Sequence, residues 1–269
     1  MTNKICAPGK GNKKTCYSLE SLKKIATSYN ENHTDKIEIT DDIEVLYDVL
    51  KEKLQKFCSN DEKCWKGLPF VKQLEDEEIE HLTFKPPKPQ GQWAWLSTID
   101  IDKVMTQLVN IDPTFKFLGA VPMDFDDLHV LGIRNLNFRE LEDSQIKHVG
   151  IVFNTDEHYK SGEHWIAAYA NFDKKQVYFF DSVGTMPEKR VTKFLARIVK
   201  HLIKTKKCKL HEIDVMHNYL QHQKGNSECG VYCINFLRRL VRGETFEQII
   251  QNRLSDEKVN QCRDVYFSK

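Results

Sequence analysis

The run "FKPPKPQGQ" at residues 84–92 places three Pro and one Gly within nine residues. No helix continues through it, because each Pro lacks an N–H and its ring collides with the carbonyl one turn back. The chain must therefore be read in two parts. Before the break, apolar residues recur at helical spacing. Leu19, Leu22, Ile25 and Ala26 follow a cap candidate at Ser18. Ile43, Leu46, Leu50, Leu54 and Phe57 share one face behind Asp41 and Asp42, whose charges suit the positive end of a helix dipole. A third short helix is expected between Leu74 and Leu82. This periodicity predicts an all-helical domain over 1–85 with a mobile lead over 1–17, a Pro-rich linker over 86–92, and a second domain over 93–269.

The second part has a different texture. "WAWLSTIDIDKVMTQLV" reads as two Trp followed by a helix from Ser97 or Thr98, with Ile101, Val104, Met105 and Leu108 inward. "HVGIVFN", "HWIAAYANF" and "KQVYFFDS" are short β-branched or aromatic runs separated by polar turns, so they read as neighbouring strands of one sheet. "PEKRVTKFLARIVKHLIKT" is a strong amphipathic helix with Pro187 in its first turn and Val191, Phe194, Leu195, Ile198 and Leu202 as its stripe. "HEIDVMHN" fits one more strand, and "CGVYCINFLRRLVRG" a helix ended by Gly243. A last helix is expected near Thr245–Arg253. The fold class is α+β.

A formal net charge of +1 gives no global field toward nucleic acid or membrane. No apolar run reaches the roughly 20 residues of a membrane span, and the N-terminal residues lack the apolar core of a secretory signal. The eight Cys are dispersed at 6, 16, 58, 64, 208, 229, 233 and 262. That spacing predicts reduced thiols in a cytosol-like compartment rather than a disulfide framework, and no second pair answers Cys229 and Cys233 to make a zinc site. No metal or cofactor is implied.

The chemistry concentrates in "QHQKGNSECGVYC", residues 221–233. A flexible Gly-Asn-Ser run, a Cys, a Gly and an apolar helix present the Cys229 thiol at a helix start. There the dipole and a neighbouring imidazolium can lower a thiol pKa from about 8.5 to roughly 3.5–7.5. Cys233 reads as packing. His164 opens a strand and is followed by Trp165. Asp181 ends the next strand, one short turn later. In an antiparallel hairpin the start of the first strand lies beside the end of the second, so His164 and Asp181 are neighbours by topology. Asn171 and Asp173 sit at the hairpin tip, too far to orient the ring. Asp181 also suits turn initiation before Ser182 and Gly184. Gln223, six residues before Cys229, is placed to donate to an oxyanion beside the Cys229 N–H, with Gln221 as the competing residue.

His-Trp, then aromatic-Asp-Ser, then Gln-x5-Cys-Gly in this order resembles the adenain-fold cysteine peptidases, including the SUMO-type proteases. Trp95-Leu96 before a helix is similar to that family's Trp-Leu entry. The resemblance covers roughly 90–269. It implies a core with a central mixed sheet flanked by helices, and a triad of His164, Asp181 and Cys229. It further implies Gln223 in the oxyanion hole and Trp165 and Trp95 clamping the substrate. "NTDEHYKSGEHW", "HQKGNSECG" and "RLSDEKV" look most like the maturation proteases of large cytoplasmic DNA viruses, of the asfarvirus and poxvirus kind. Two residues depart from pattern: Asp181 stands where the asfarvirus type is expected to carry Asn, and Glu228 where SUMO-type members usually carry Asp.

The resemblance implies cleavage of viral structural polyproteins after Gly-Gly during virion maturation, in the host cytoplasm and the virion. The alternative is removal of SUMO or ubiquitin-like proteins from host conjugates. A monomer is expected. The N-terminal helices and the basic run Lys200–Lys209 offer a weak nucleic-acid contact, although such a run commonly serves as a solvated helix end.

Overall fold

Two compact units make up the computed structural model, which describes residues 4–91 and 93–268. One unit is Met1–Pro87 with Tyr266–Lys269, the other Lys88–Val265. Gln92, the last residue of the expected linker, lies outside the described residues. The sequence carries no sign that the chain's final residues join the first unit.

In the first unit, α1 (Leu19–Asn32) starts where Ser18 accepts from the Ser21 N–H, and α2 (Ile43–Cys58) where Asp42 accepts from Glu44 and Val45. Leu22, Ile25, Ala26 and Tyr29 of α1 share an apolar cluster with Leu46, Leu50 and Leu54 of α2. Phe57 departs from the expected stripe and is 47% exposed, because Cys58, one residue on, turns inward to a disulfide. Instead of one helix over 74–82, the chain forms α3 (Pro69–Lys72) and a wide π turn, Glu78–Leu82, with Ile79 buried.

Two expectations are overturned here. The described part of the lead, residues 4–17, is ordered: Cys6 is bonded to Cys16, the Ala7 N–H donates to Thr83 O at 2.9 Å, and the Lys85 N–H donates to Ile5 O at 2.8 Å. Cys58 is bonded to Cys64, so four of the eight thiols are not free. Dispersion along a sequence says little about distance in space when one helix end and two short turns fold together. The thiol argument for a reducing compartment therefore fails for this unit.

The second unit is built on a five-stranded mixed sheet in sequential order: β1 (Phe115–Val121), β2 (His148–Asn154), β3 (Trp165–Asn171), β4 (Gln176–Phe180) and β5 (Asp214–His217). β2, β3 and β4 pair antiparallel, while β1 and β5 each run parallel to their inner neighbour. No element is expected from sequence at β1. Its register slips between Phe117 and Ala120, around Gly119, and the bulge erases the alternation that marks a strand.

Helices cover both faces, which explains why β2 and β3 are apolar at nearly every position. α4 (Thr98–Thr106) begins in a Ser97/Asp100 capping box, and α5 (Phe138–Asp143) follows β1. α6 (Lys189–Lys206) starts at Glu188 as cap, so Pro187 precedes the helix rather than occupying its first turn. Its Val191, Phe194, Ile198 and Leu202 pack with Ile151, Phe153, Ala168, Val177 and Phe179 on one face. Burying each such side chain contributes about 1.5–3 kcal/mol. On the other face lies α7 (Cys229–Val241), where Phe236 stacks on Phe180 at 4.7 Å. Gly150 of β2 opens room there, since a Cβ would meet Phe115 at 2.8 Å and Leu237 at 3.1 Å. Gly243, at φ 90°, follows the end of α7 as expected. Three further short helices follow, α8 (Phe246–Gln251), α9 (Asp256–Gln261) and α10 (Arg263–Tyr266), where the sequence suggests one.

Alkylation of the unreduced, denatured protein should label Cys208, Cys229, Cys233 and Cys262 alone, with Cys6, Cys16, Cys58 and Cys64 protected until reductant is added. Intact mass counts the adducts; eight without reductant contradicts the pairing.

Candidate active site

The β3–β4 hairpin sets the site. Ala167 faces Phe180 in its register, so His164, just before β3, and Asp181, just after β4, emerge at the same end. His164 Nε2 lies 2.6 Å from Asp181 Oδ1. The carboxylate is itself fixed. Oδ1 accepts from the Val183 N–H at 3.0 Å and Oδ2 from Thr185 at 3.2 Å, while the Asp181 N–H donates to Asn218 Oδ1 at 2.9 Å. The two sequence readings of Asp181, turn initiator and ring orienter, are therefore met by one side chain. Asn171 ends β3 at the opposite end of the hairpin.

Cys229 is the first residue of α7 and is 2% exposed. No side chain caps that helix start, which leaves its positive end, about half a charge, directed at the sulfur. The sulfur is near enough to the His164 ring to act on its charge. Burial alone would lower the His164 pKa. The interactions with Asp181 and Cys229 outweigh it and raise the pKa to about 9. Below pH 6.5, where the unfolded ring is also protonated, this pairing contributes its full stability. The contribution fades as pH rises to about 9. Cys233, one turn on, differs: burial pushes its thiol well up, toward an inert neutral form.

Gln223 is buried, with its amide oxygen accepting from Ser182 Oγ at 2.7 Å and its amide nitrogen donating to Gly225 O at 3.1 Å. Its backbone N–H donates to Ser182 O at 2.9 Å. Gln221 is exposed and only braces its neighbour, donating to Gln223 O at 2.9 Å. Ser182, read from sequence merely as a turn residue, thus ties the Gln223 loop to the residue after Asp181. The Asp-Ser pair at a strand end is the one signal that pointed to it.

Trp165 is buried and donates its indole N–H to Leu96 O at 2.9 Å. A Cβ on Gly230 would meet Leu96 at 3.1 Å and Trp165 at 3.3 Å, so the glycine after Cys229 lets α7 close on the indole. Trp95 is 50% exposed and shares with Trp165 the wall of a cleft of about 480 Å³, which also meets Pro122, Asn154, Asp156 and His158. The structure thus bonds His164 to Asp181 and the Gln223 loop to Ser182, and packs Trp165 against Gly230 next to Cys229, while His164, Asp181 and Cys229 are not among the residues that line the cleft of Trp95 and Trp165.

Residues 138–268 match the Ulp1 protease family, C-terminal catalytic domain. Protein R355 of Acanthamoeba polyphaga mimivirus, assigned by name as a thiol protease, is 34% identical over 284 residues, covering 98% of this chain and 93% of that one. The chain belongs to the Ulp1 protease family. This Ulp1-family cysteine peptidase is of the kind found in large DNA viruses. It is 24% identical over 277 residues to the cysteine protease S273R of African swine fever virus, covering 97% of this chain and 94% of that protein. The crystal structure of the African swine fever virus pS273R protease superposes with a TM-score of 0.68 at 20% identity, over 100% of this chain and 97% of that one, and so shares its α+β fold.

Iodoacetamide should alkylate Cys229 of this Ulp1-family peptidase at a rate that persists well below pH 8, because the imidazolium at about 9 stays charged beside the sulfur. In His164→Ala the rate should instead rise with a midpoint near about 8.5, the value of a free thiol. Superimposable profiles would contradict the pairing.

Proposed function

We propose that this Ulp1-family peptidase is an endopeptidase that cuts viral structural polyproteins after Gly-Gly during virion maturation, in the host cytoplasm and the virion. The observation that carries the reading is the 2.6 Å contact between the His164 ring and the Asp181 carboxylate, on a ring whose charge Cys229, at the start of α7, also raises. The Cys229 thiolate attacks the carbonyl carbon, a C–S bond forms, and the carbonyl electron pair moves to oxygen. The Cys229 N–H and the Gln223 amide receive that oxyanion. His164 passes its proton to the leaving nitrogen as the C–N bond breaks. Water then attacks the thioester, His164 takes its proton, and the thiolate is released with the new carboxylic acid. Asp181 holds the ring throughout.

The cleft of about 480 Å³ whose wall Trp95 and Trp165 share supports the Gly-Gly reading, since backbone that carries no Cβ can pass closest to an indole. The viral cysteine proteases that the chain resembles support the polyprotein reading. One African swine fever virus relative is named a SUMO-1 cysteine protease, and that supports a second reading, removal of ubiquitin-like proteins from host conjugates. A monomer is proposed. A weak nucleic-acid contact through the N-terminal helices or the exposed Lys200, Lys204, Lys207 and Lys209 is a subsidiary proposal.

A Gly-Gly-X peptide should be cut after the second Gly, and Cys229→Ala should lower kcat by roughly 10⁴-fold or more. Full activity in Cys229→Ala would overturn the assignment. A ubiquitin-like probe with a C-terminal electrophile that labels Cys229, with no cleavage of structural polyproteins, would favour the second reading.

A further inference from the structure

The five residues between Gln223 and Cys229 carry no secondary structure up to the start of α7, yet both ends of this loop must be held for an oxyanion to be received. The holding groups come from one place. The Lys224 and Gly225 N–H groups both donate to Asp256 Oδ2, at 3.0 and 2.7 Å. The other oxygen of Asp256 accepts from the Tyr232 hydroxyl at 2.9 Å, and Tyr232 lies one turn into the helix that Cys229 begins. A single carboxylate at the start of α9 therefore ties the Gln223 end of the loop to the nucleophile's helix.

The Cys229 end is held by a buried relay. Glu228 accepts from Ser227 Oγ at 2.8 Å and from Asn260 Nδ2 at 3.0 Å. Arg263 donates to Asn260 Oδ1 at 2.9 Å and to Ser227 O at 3.2 Å. The loop lies so close that a Cβ on Gly225 would meet Glu228 at 2.6 Å and Asp256 at 3.4 Å. Arg253 donates to Gln221 O at 3.1 Å and braces the entry. Six side chains, those of Arg253, Asp256, Asn260 and Arg263 with Glu228 and Tyr232, thus grip one loop.

We propose that Asp256 is a positioning residue for the oxyanion hole, acting through the Lys224–Gly225 backbone and, by way of the Gly225 carbonyl, on the Gln223 amide. The proposal rests on the site reading above. Losing the carboxylate frees two N–H groups and the loop that carries the Gln223 amide. The cost falls on the step in which negative charge develops on oxygen, not on ground-state binding.

The test compares wild type, Asp256→Ala and Asp256→Asn on a Gly-Gly-X peptide, a glycinal peptide aldehyde and iodoacetamide. Asp256→Ala should lower kcat by about 10²-fold with KM nearly unchanged, the scale of a lost or misplaced oxyanion donor. Affinity for the aldehyde, whose carbon bonds to Cys229 and whose oxygen occupies the same hole, should fall in parallel. Iodoacetamide displaces iodide at a saturated carbon and uses no hole, so its rate on Cys229 should stay at the wild-type value and report an intact fold and ion pair. Asp256→Asn, whose amide oxygen still accepts both N–H groups, should recover most of the loss. Wild-type kcat and aldehyde affinity in Asp256→Ala would overturn the proposal, as would parallel loss of alkylation, which marks plain misfolding. A wild-type enzyme that cuts no Gly-Gly peptide overturns the site reading itself, and is distinguished because no comparison with the variant is then needed.

Discussion

A hairpin of two short strands carries the rest of the site. Its register is held because both faces are buried: a slip of one residue would send Ile166 and Ala168 toward α7 and Trp165 and Ala167 toward α6, exchanging every packed contact. Packing energy spread over many side chains thus fixes a single separation, the one between His164 and Asp181. No catalytic side chain needs to be placed by its own contacts alone. The imidazole starts one strand, the carboxylate ends its partner, and the sheet does the alignment.

The same logic extends to the third component. α7 lies on the sheet face that Gly150 leaves open, its own Gly230 lets it close on Trp165, and its first residue is Cys229. That helix start carries no side-chain cap, and Cys229 acts on the charge of the His164 ring. The contrast with Cys233 is instructive. It lies on the same helix four residues later, equally buried, yet with neither a ring partner nor the helix end, and burial drives its thiol toward the neutral form. Burial is common to both; what sets the proposed nucleophile apart is its place at the helix start beside the His164 ring.

Much of this was legible in the residues. A cap at Ser18, acidic residues at Asp41 and Asp42, a start at Ser97 or Thr98 and apolar residues at helical spacing mark α1, α2, α4 and α6 in the sequence, and the apolar run closed by Gly243 marks α7. The topological pairing of His164 with Asp181 needs only two strands and a short turn. What escaped detection has a common cause. β1 is broken by a bulge, Ser182 works through a contact 41 residues away in sequence, and Asp256 meets Lys224 across 32. Such contacts join a side chain to a distant loop without imposing any period on the sequence. The disulfides escaped for the same reason, since dispersed cysteines carry no record of which helix ends meet.

The central claim is that one imidazole is shared between a sulfur and a carboxylate. Titration of the His164 ring by NMR tests it most directly, in the wild-type protein and in Cys229→Ala. The account predicts a ring that holds its proton to about pH 9 in the wild type and loses it at lower pH once the sulfur is gone. A ring that titrates at the ordinary histidine value, near about 6.5, in both proteins would contradict it.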